Sequence, residues 1–486
     1  MSDRASLSDT RSPSGRRLRL AIAAGVAILL ITCVGAFFML RGDGRSHPDQ
    51  WDARIEPFVK IVEDQRGLTF DHPVAVRFLE PDAFEKDLRT DTSDLDKDER
   101  EEIAQFTSLF RAFGLISGDV DLFDAINDAS GTGTLAYYSF EDRAITVRGK
   151  KLTRASHAIL VHELTHALQD QRFDIADRLE DLGKKVEDGE ATTAADALQA
   201  IVEGDAERVA DLYRASLDAD ERQALEEAET ADTADAQAKL DKIPKIVTTL
   251  FGAPYVLGQA VTEAVAAGDQ DDLDDLFDDP PRDDSVLLDP LKAIDRAGDA
   301  ETFDIPSLEK GEKKIDSGQI GSLVTYLMLA ERIALPEALA AADSWVGDAY
   351  VGFERDGVVC ARVEYEAGTD EAAMRLTSAF DDWIAAEKGS TARIDRDGSR
   401  STFESCDPGT SAELTNDAST DALTLVATRA SLGATLVKSG ASVEIADCLS
   451  RSLVDEYPVT DLTDPKFGAD DPAVTKRIQE LAADCR

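Results

Sequence analysis

The 486-residue chain has few basic residues: 52 Lys and Arg stand against 97 Asp and Glu, and the formal net charge is −45. A surface of this sign repels phosphate groups, so the composition argues against nucleic acid as a partner. The acidic residues form short runs, as at 271–275, which is typical of a solvated surface. No internal repeat is apparent, and the length allows one large hydrophobic core or two to three smaller ones.

Cysteine is also scarce. Of the five cysteines, Cys33 lies in an apolar run, and the others are Cys360, Cys406, Cys448 and Cys485. None has the C-x-x-C spacing of a structural zinc site, which excludes that class of motif. In an oxidising compartment the last four would form two disulfides, and three pairings are open. Four buried thiols are the alternative.

One long apolar run is present, from Leu20 to Leu40, and it contains no charged residue. A helix needs about 20 apolar residues to cross the hydrocarbon layer. A signal peptide, whose apolar region is usually about 7–15 residues, and a lipoprotein signal at Cys33 are the alternatives. The run is longer than the apolar region of a signal peptide. Apolar sequence also continues well past Cys33, which argues against a lipoprotein signal. We therefore predict an uncleaved transmembrane helix.

Basic residues are concentrated before this span, where five arginines precede residue 20, whereas only Arg41 and Arg45 follow closely. The excess of positive charge marks the cytoplasmic side, so the N-terminus is expected to stay inside. We predict a cytoplasmic tail at 1–19, the transmembrane helix at 20–40 and a linker at 41–50. The rest of this single-pass protein of the cell membrane is then extracytoplasmic, which favours disulfide formation.

Hydrophobic periodicity beyond residue 50 predicts an α+β fold that is mostly helical. Two β-rich runs, at 134–140 and 144–148, are separated by three polar residues and read as a hairpin. Gly, Ser and Thr become frequent after residue 388, so we place a soft boundary there, with one domain at 51–387 and a C-terminal αβ appendage at 388–486. The other predicted elements are helices at 51–66, 81–90, 99–127, 370–386 and 471–484, strands at 73–79, 349–355 and 358–365, and an almost entirely helical stretch from about 175 to 343.

Histidine is scarce as well, with five residues in the chain, yet two of them occur in His162-Glu163-Leu164-Thr165-His166. Apolar residues recur around this segment at helical spacing. The i, i+4 relation places both imidazoles on one face, where they can bind one metal ion. Zinc would supply Lewis acidity, and Glu163 would act as the general base that takes a proton from water. A chance match on an ordinary helix is the alternative.

No histidine follows His166. A catalytic zinc needs a third protein ligand and an open fourth position, so a carboxylate is expected to complete the site. Glu203 is the best candidate, because the adjacent Gly204 leaves space for a second helix to pack closely. Asp205 and Glu207 could accept the other N–H of a ligating histidine. The alternative for Glu203 is an acid on a solvated face.

These segments resemble a known family, the actinobacterial-type neutral zinc metallopeptidases, which carry an HELTHALQDQ-type helix followed by an EGDA helix. The resemblance covers roughly residues 51–386. Its specific motifs are at 162–171 together with 173–174, and at 202–206, and weaker ones are at 318–321 and 345–350.

The resemblance implies a zincin fold of the gluzincin kind, with one zinc ion per chain on His162, His166 and Glu203. Two departures concern other positions: Asp289 stands where the family's double-proline loop usually ends in His-Pro, and Ser344 replaces a glycine before a tryptophan. The region after 388 lies outside the resemblance. There, Cys448 and Cys485 at the ends of a helical pair suggest one disulfide, which leaves Cys360 and Cys406 to pair.

The leading hypothesis is a membrane-anchored extracytoplasmic zinc metallopeptidase that acts on peptide or protein substrates. The hairpin at 137–148 would offer a strand edge to an extended peptide. A catalytically silent surface binding protein on a zincin scaffold and a zinc amidase acting on cell-wall material are the alternatives. The intact Glu163 favours catalysis, because a structural zinc site needs no base.

Overall fold

The computed structural model describes residues 47–89, 95–187, 189–266, 270–294, 303–387, 390–412, 417–464, 467 and 471–486. The predicted transmembrane helix at 20–40 lies outside these residues. Within them, no helix combines the length and the apolar character that crossing a bilayer requires.

The described chain has a mixed α+β fold and is mostly helical, as the periodicity predicts. The helices are α1 (Glu56–Arg66), α2 (Pro81–Leu88), α3 (Lys97–Ala112), α4 (Leu122–Gly131), α5 (Ser156–Phe173), α6 (Ile175–Glu187), α7 (Ala194–Ser216), α8 (Ala219–Leu240), α9 (Lys245–Ala266), α10 (Gln270–Asp278), α11 (Ser285–Leu288), α12 (Gly321–Ala330), α13 (Leu335–Ala342), α14 (Asp370–Ala386), α15 (Ser419–Lys438), α16 (Val443–Glu456), α17 (Val459–Leu462) and α18 (Pro472–Asp484), with a 3₁₀ turn at Pro290–Ala293. The strands are β1 (Ala75–Leu79), β2 (Ala136–Ser139), β3 (Ala144–Arg148), β4 (Lys313–Gly318), β5 (Gly347–Arg355), β6 (Val358–Glu366), β7 (Arg393–Asp397) and β8 (Arg400–Cys406).

The first sheet has three strands in the order β1-β3-β2. β1 runs parallel to β3, and β2 pairs with β3 as the predicted antiparallel hairpin, with Tyr138 opposite Ile145. Arg143 in the connecting turn adopts a left-handed conformation with φ 50°. The hairpin is followed by α5, and β2 lies at the edge of the sheet.

The second sheet has five antiparallel strands in the order β4-β5-β6-β8-β7. β4 corrects one prediction, because it lies inside the stretch predicted to be almost entirely helical up to residue 343. Its sequence, Lys-Lys-Ile-Asp-Ser-Gly, has little strand character of its own, and pairing with β5 fixes its conformation. The predicted helix at 99–127 is likewise interrupted, since Gly114 and Gly118 have positive φ between α3 and α4.

The sheet and the core both continue across the soft boundary at residue 388. β7 and β8 follow this boundary and complete the second sheet, and one hydrophobic core contains residues from Ile55 to Val454. Cys360 and Cys406 face each other on β6 and β8 and form a disulfide. A second disulfide joins Cys448 on α16 to Cys485 at the end of α18. These are the pairings that the sequence suggested.

Candidate metal centre

Helix α5 presents polar side chains on two neighbouring faces although most of its residues are buried. His162, His166 and Gln169 follow one another at i, i+4 and i+7, which places them on one face. Glu163 and Asp170 are two turns apart on the next face. The first face contacts α7, and the second contacts the edge strand β2.

The first face of α5 and the middle of α7 bring three ligand atoms together. His162 Nε2 and His166 Nε2 each lie 3.2 Å from Glu203 Oε2, and the two nitrogens are 2.9 Å apart. All three side chains are buried. Within the described residues this is the one group of three or more potential ligands whose atoms all lie within 4.8 Å of one another.

This group fits a small divalent cation. Ligand atoms about 2.0–2.2 Å from a tetrahedral zinc ion are about 3.3–3.6 Å apart, so the observed triangle needs only a slight expansion. Two imidazole nitrogens and one carboxylate oxygen are donors that zinc accepts. The structure shows a possible metal site, and the identity of the metal is a matter for proposal.

A close contact between two helices sets the position of Glu203. A Cβ added at Gly204 would overlap the backbone of Gly258 on α9, and one added at Gly258 would overlap the carbonyl of Ala200 on α7. The two backbones therefore approach more closely than any side chain would allow. The sequence predicted this role for Gly204, and the structure supplies its partner, Gly258.

Glu163 is not a member of the ligand group, although it lies beside it. Its Oε2 accepts a hydrogen bond of 2.6 Å from the backbone N–H of Tyr138 on β2. The Tyr138 hydroxyl donates to Asp170 Oδ2 at 2.9 Å, so one residue of the edge strand contacts both acids of the second face. Burial raises the pKa of Glu163 against the attraction of His162 and His166.

The remaining ring nitrogens have different partners. His162 Nδ1 lies 3.4 Å from Glu207 Oε2, consistent with the predicted role of Glu207 as an acceptor. His166 Nδ1 lies 3.1 Å from Gln169 Oε1. Asp205 contacts Gln169 Nε2 at 3.0 Å and so reaches His166 only through the amide, rather than accepting directly from a histidine as the sequence suggested.

Positive charge is strongly favoured among these groups. Burial opposes a charged imidazole, but hydrogen bonds with Glu203 and Glu207 raise the pKa of His162 to about 10. Burial likewise opposes ionisation of Glu203, yet the charge of His166 and hydrogen bonds with both histidines hold its pKa well below its usual value. The site therefore stabilises positive charge.

The edge strand and an aromatic ring border the centre. Arg148 N donates to Leu135 O, so alternate residues of β2 bond to β3. Ala136 and Tyr138 direct their backbone groups to the opposite edge, where the Tyr138 N–H is bonded to Glu163. The Tyr255 ring on α9 lies against His162 with centroids 5.8 Å apart, and Tyr255 is 39% exposed.

The weaker motifs of the sequence meet in a second buried polar centre at the start of α12. Asp348 accepts hydrogen bonds from Ile320 N, Gly321 N and Trp345 Nε1. Asp284, which follows the double proline, accepts from the backbone N–H groups of residues 322 and 323. Asp348 and Asp284 cap the N-terminus of α12, and their role differs from that of the metal ligands.

Asp289 and Ser344, the two departures noted in the sequence, make structural contacts. Asp289 accepts hydrogen bonds from Arg451 and from the N–H of Leu291, and Ser344 accepts one from Arg375. The Asp289–Arg451 pair, with Oδ2 2.7 Å from Nη2, joins the double-proline loop to α16.

The structure thus gathers His162, Glu163, His166, Glu203 and Glu207 and separates Asp205 from both rings. Sequence reasoning missed two side chains, Gln169 and Tyr255. Gln169 had a signal, since it follows His166 by three residues on the same helical face, whereas nothing in the sequence connects α9 to the histidines. Comparison of the chain with protein-family models, with curated proteins and with solved structures finds no match.

Proposed function

We propose that this chain is a zinc metallopeptidase in which His162, His166 and Glu203 bind the metal and Glu163 is the general base. The observation that carries the proposal is a three-membered ligand group with a non-ligand carboxylate beside it. Three protein ligands are typical of catalytic zinc, which keeps a fourth position open, whereas structural sites use four.

Zinc is the proposed metal because of the donor set. Imidazole nitrogen combined with a carboxylate suits zinc, and the near-tetrahedral spacing of the ligand atoms supports it. A zinc ion bound here would supply Lewis acidity, which polarises a carbonyl group and lowers the pKa of water.

Glu163 would perform the proton transfers of peptide hydrolysis. The Tyr138 N–H holds Oε2, so Oε1 is the oxygen that accepts a proton from the attacking water and later passes it to the leaving amine.

The substrate would bind as an extended chain along β2. The backbone groups of Ala136 and the carbonyl of Tyr138 can pair with a peptide, as in other cases where a strand is added to a sheet edge, while the Tyr138 N–H stays bonded to Glu163. The same strand contacts Glu163, so a peptide on this edge would lie beside the base. This arrangement favours a peptide over a cell-wall amide as substrate.

The proposed location is the outer face of the cell membrane. It is supported by the apolar run from Leu20 to Leu40 with its preceding arginines, and by two disulfides, which are typical of exported proteins. The proposed relationship to neutral zinc metallopeptidases of the gluzincin kind is supported by the His162, His166 and Glu203 geometry.

The test compares the purified full-length wild type with Glu163→Gln and Glu331→Gln. Glu331 is a buried glutamate that accepts a hydrogen bond from Ala418 N, and burial raises its pKa to about 7, so the neutral amide is a mild change there. Bound zinc and cleavage of a mixed peptide library are measured for each protein.

All three proteins should bind one zinc ion per chain. Glu163→Gln should lose at least about 100-fold of the cleavage rate, because general acid–base catalysis typically contributes about 10²–10⁴-fold, while Glu331→Gln should cleave like wild type. Full zinc occupancy without peptide cleavage by the wild type would contradict the peptidase proposal and favour a binding protein or an amidase.

A further inference from the structure

The orientation of the Gln169 amide is determined by the groups around it. Its Nε2 lies 3.1 Å from Val202 O and 3.0 Å from Asp205 Oδ2. Both partners are acceptors, so only the amide nitrogen can face them. Oε1 must therefore point to His166 Nδ1, 3.1 Å away. An amide flip would place Oε1 against Val202 O and Asp205 Oδ2, so that three acceptors would face one another.

This orientation has a consequence for His166. Because Oε1 is an acceptor, Nδ1 must carry a hydrogen and donate it. In the neutral ring Nε2 is then the unprotonated nitrogen, and it is the atom that belongs to the ligand group. We propose that Gln169 is a positioning residue that fixes the ring orientation and tautomer of His166 for metal binding. The inference rests on the proposed zinc centre.

A buried ion pair holds Gln169 in turn. Asp205 accepts hydrogen bonds from Arg66 Nε at 2.8 Å and from Arg208 Nη2 at 3.0 Å. Arg66, on α1, is fully buried and also pairs with Asp274 on α10 at 2.6 Å. Because it forms ion pairs with both arginines, the Asp205 carboxylate is an acceptor for the Gln169 amide. Side chains from α1, α7 and α10 therefore hold the Gln169 amide in place.

The Nδ1 atoms of the two ligand histidines therefore have different kinds of partner. The partner of His162 is Glu207, a carboxylate whose side chain is 29% exposed and 3.4 Å away. The partner of His166 is a fully buried neutral amide, and the negative charge of Asp205 lies on the far side of it. The Gln169 amide dipole transmits the effect of the Asp205 charge to the His166 ring, and no second carboxylate has to contact that ring.

The test uses Gln169→Met, which keeps the side-chain length and removes both hydrogen-bonding groups. Gln171→Met is the matched control: Gln171 lies on the same helix and makes four hydrogen-bond contacts, three with backbone groups of Asp71 and His72 and one with His72 Nδ1. Zinc dissociation constants are measured by chelator competition on the full-length chain, together with visible spectra of the Co²⁺-loaded proteins and thermal unfolding of the metal-free proteins.

Gln169→Met should bind zinc about 10–100-fold more weakly than wild type, as is typical when the partner of a ligating histidine is lost, and its cobalt spectrum should change. Gln171→Met should match wild type in both. Unchanged zinc affinity and cobalt spectrum in Gln169→Met would contradict the positioning role while leaving the metal centre intact. A wild type without zinc binding would instead contradict the proposed function itself.

The ring tautomer can also be read in the wild type, which covers the case in which Gln169→Met does not fold. ¹⁵N spectra of the zinc-loaded full-length chain with labelled histidines should show a protonated Nδ1 and a zinc-bound Nε2 in His166. A zinc-bound Nδ1 in His166 would overturn the proposal.

Discussion

Helix α7 contributes to two buried polar centres in which the pKa values of the carboxyl groups shift in opposite directions. At the metal centre, the imidazoles of His162 and His166 hold the pKa of Glu203 well below its usual value in spite of burial. At the start of α12, burial raises the pKa of Asp348 to about 7 and that of Asp284 to about 6. Burial and, to a smaller extent, the charge of Asp284 also raise the pKa of Asp196 on the first turn of α7.

The difference arises from the partners, since Glu203, Asp284 and Asp348 are all buried. Backbone and indole N–H groups stabilise the ionised form of Asp348, but they do not offset desolvation and the nearby charge of Asp284. Two imidazoles do offset desolvation of Glu203. Burial of an acid therefore identifies a cation site only where its partners are themselves metal ligands.

The largest expected effect distinguishes the two centres by metal binding. Glu203→Gln should weaken zinc binding by more than the roughly 100-fold that marks the loss of a ligand's partner, because it removes a ligand. Asp348→Asn should change zinc affinity by less than about 3-fold, since Asp348 contacts backbone and indole groups only. Both values come from chelator competition on the full-length chain.

Asp205→Asn is the informative third variant in this comparison. It keeps the shape of a residue two positions from Glu203 and retains an acceptor for Gln169. Its effect on zinc affinity should be smaller than that of Glu203→Gln. The reverse order would move the third ligand from Glu203 to Asp205.

The second expected effect is on the pH dependence of stability. The folded-state pKa of Asp348, about 7, exceeds its unfolded value of 3.8, so between these values the folded chain binds more protons. The free energy of unfolding therefore falls as pH rises through this window, on the order of a few kcal/mol at most. Asp348→Asn removes this contribution, so its stability relative to wild type should improve from about pH 5 to about pH 7.5.

Urea unfolding of metal-free wild type and Asp348→Asn at several pH values in this range measures the change. Asp407→Asn is the control, because burial opposes ionisation of Asp407 but hydrogen bonds with Arg111 lower its pKa. Its stability difference from wild type should stay constant above about pH 5, where Asp407 is ionised in both states. A constant difference for Asp348→Asn as well would show that Asp348 is ionised throughout the range.

Much of the metal centre could be predicted from the sequence because its determinants are local. The i, i+4 histidines lie on one helix, and the absence of later histidines requires a carboxylate. Glu203 was identified with the help of its adjacent glycine. The hairpin was predictable for the same reason, since alternation and a short polar turn define it within about 15 residues.

The rest depends on contacts between elements that are distant in sequence. The direction of the Gln169 amide is set by Val202 and Asp205 on another helix, and Tyr255 reaches His162 from a third. In the sequence the second centre is visible only as separate weak motifs. Its residues come from three distant segments that meet at the N-terminus of α12. β4 owes its strand conformation to pairing with β5, which its own six residues do not specify.

The smallest expected effects distinguish the two centres by their glycines. Gly258→Ala should destabilise the chain by about 1–3 kcal/mol, because the added methyl overlaps α7 at Ala200 and must separate the helices that position Glu203. Gly321→Ala should cost about 1–2 kcal/mol or more, since Gly321 has φ +83° and Asp284 lies against it. Urea unfolding gives both values, and chelator competition should show weaker zinc binding in Gly258→Ala alone.

Gly252→Ala is the control on the same helix as Gly258, because a Cβ there meets nothing within 4 Å. It should stabilise the chain by about 0.5–1 kcal/mol, the usual gain from replacing glycine inside a helix. If Gly258→Ala weakened stability without changing zinc affinity, the close contact of α7 and α9 would serve packing only. The position of Glu203 would then depend on the histidines rather than on the glycine contact, and the metal centre would be less sensitive to the surrounding helices than its geometry indicates.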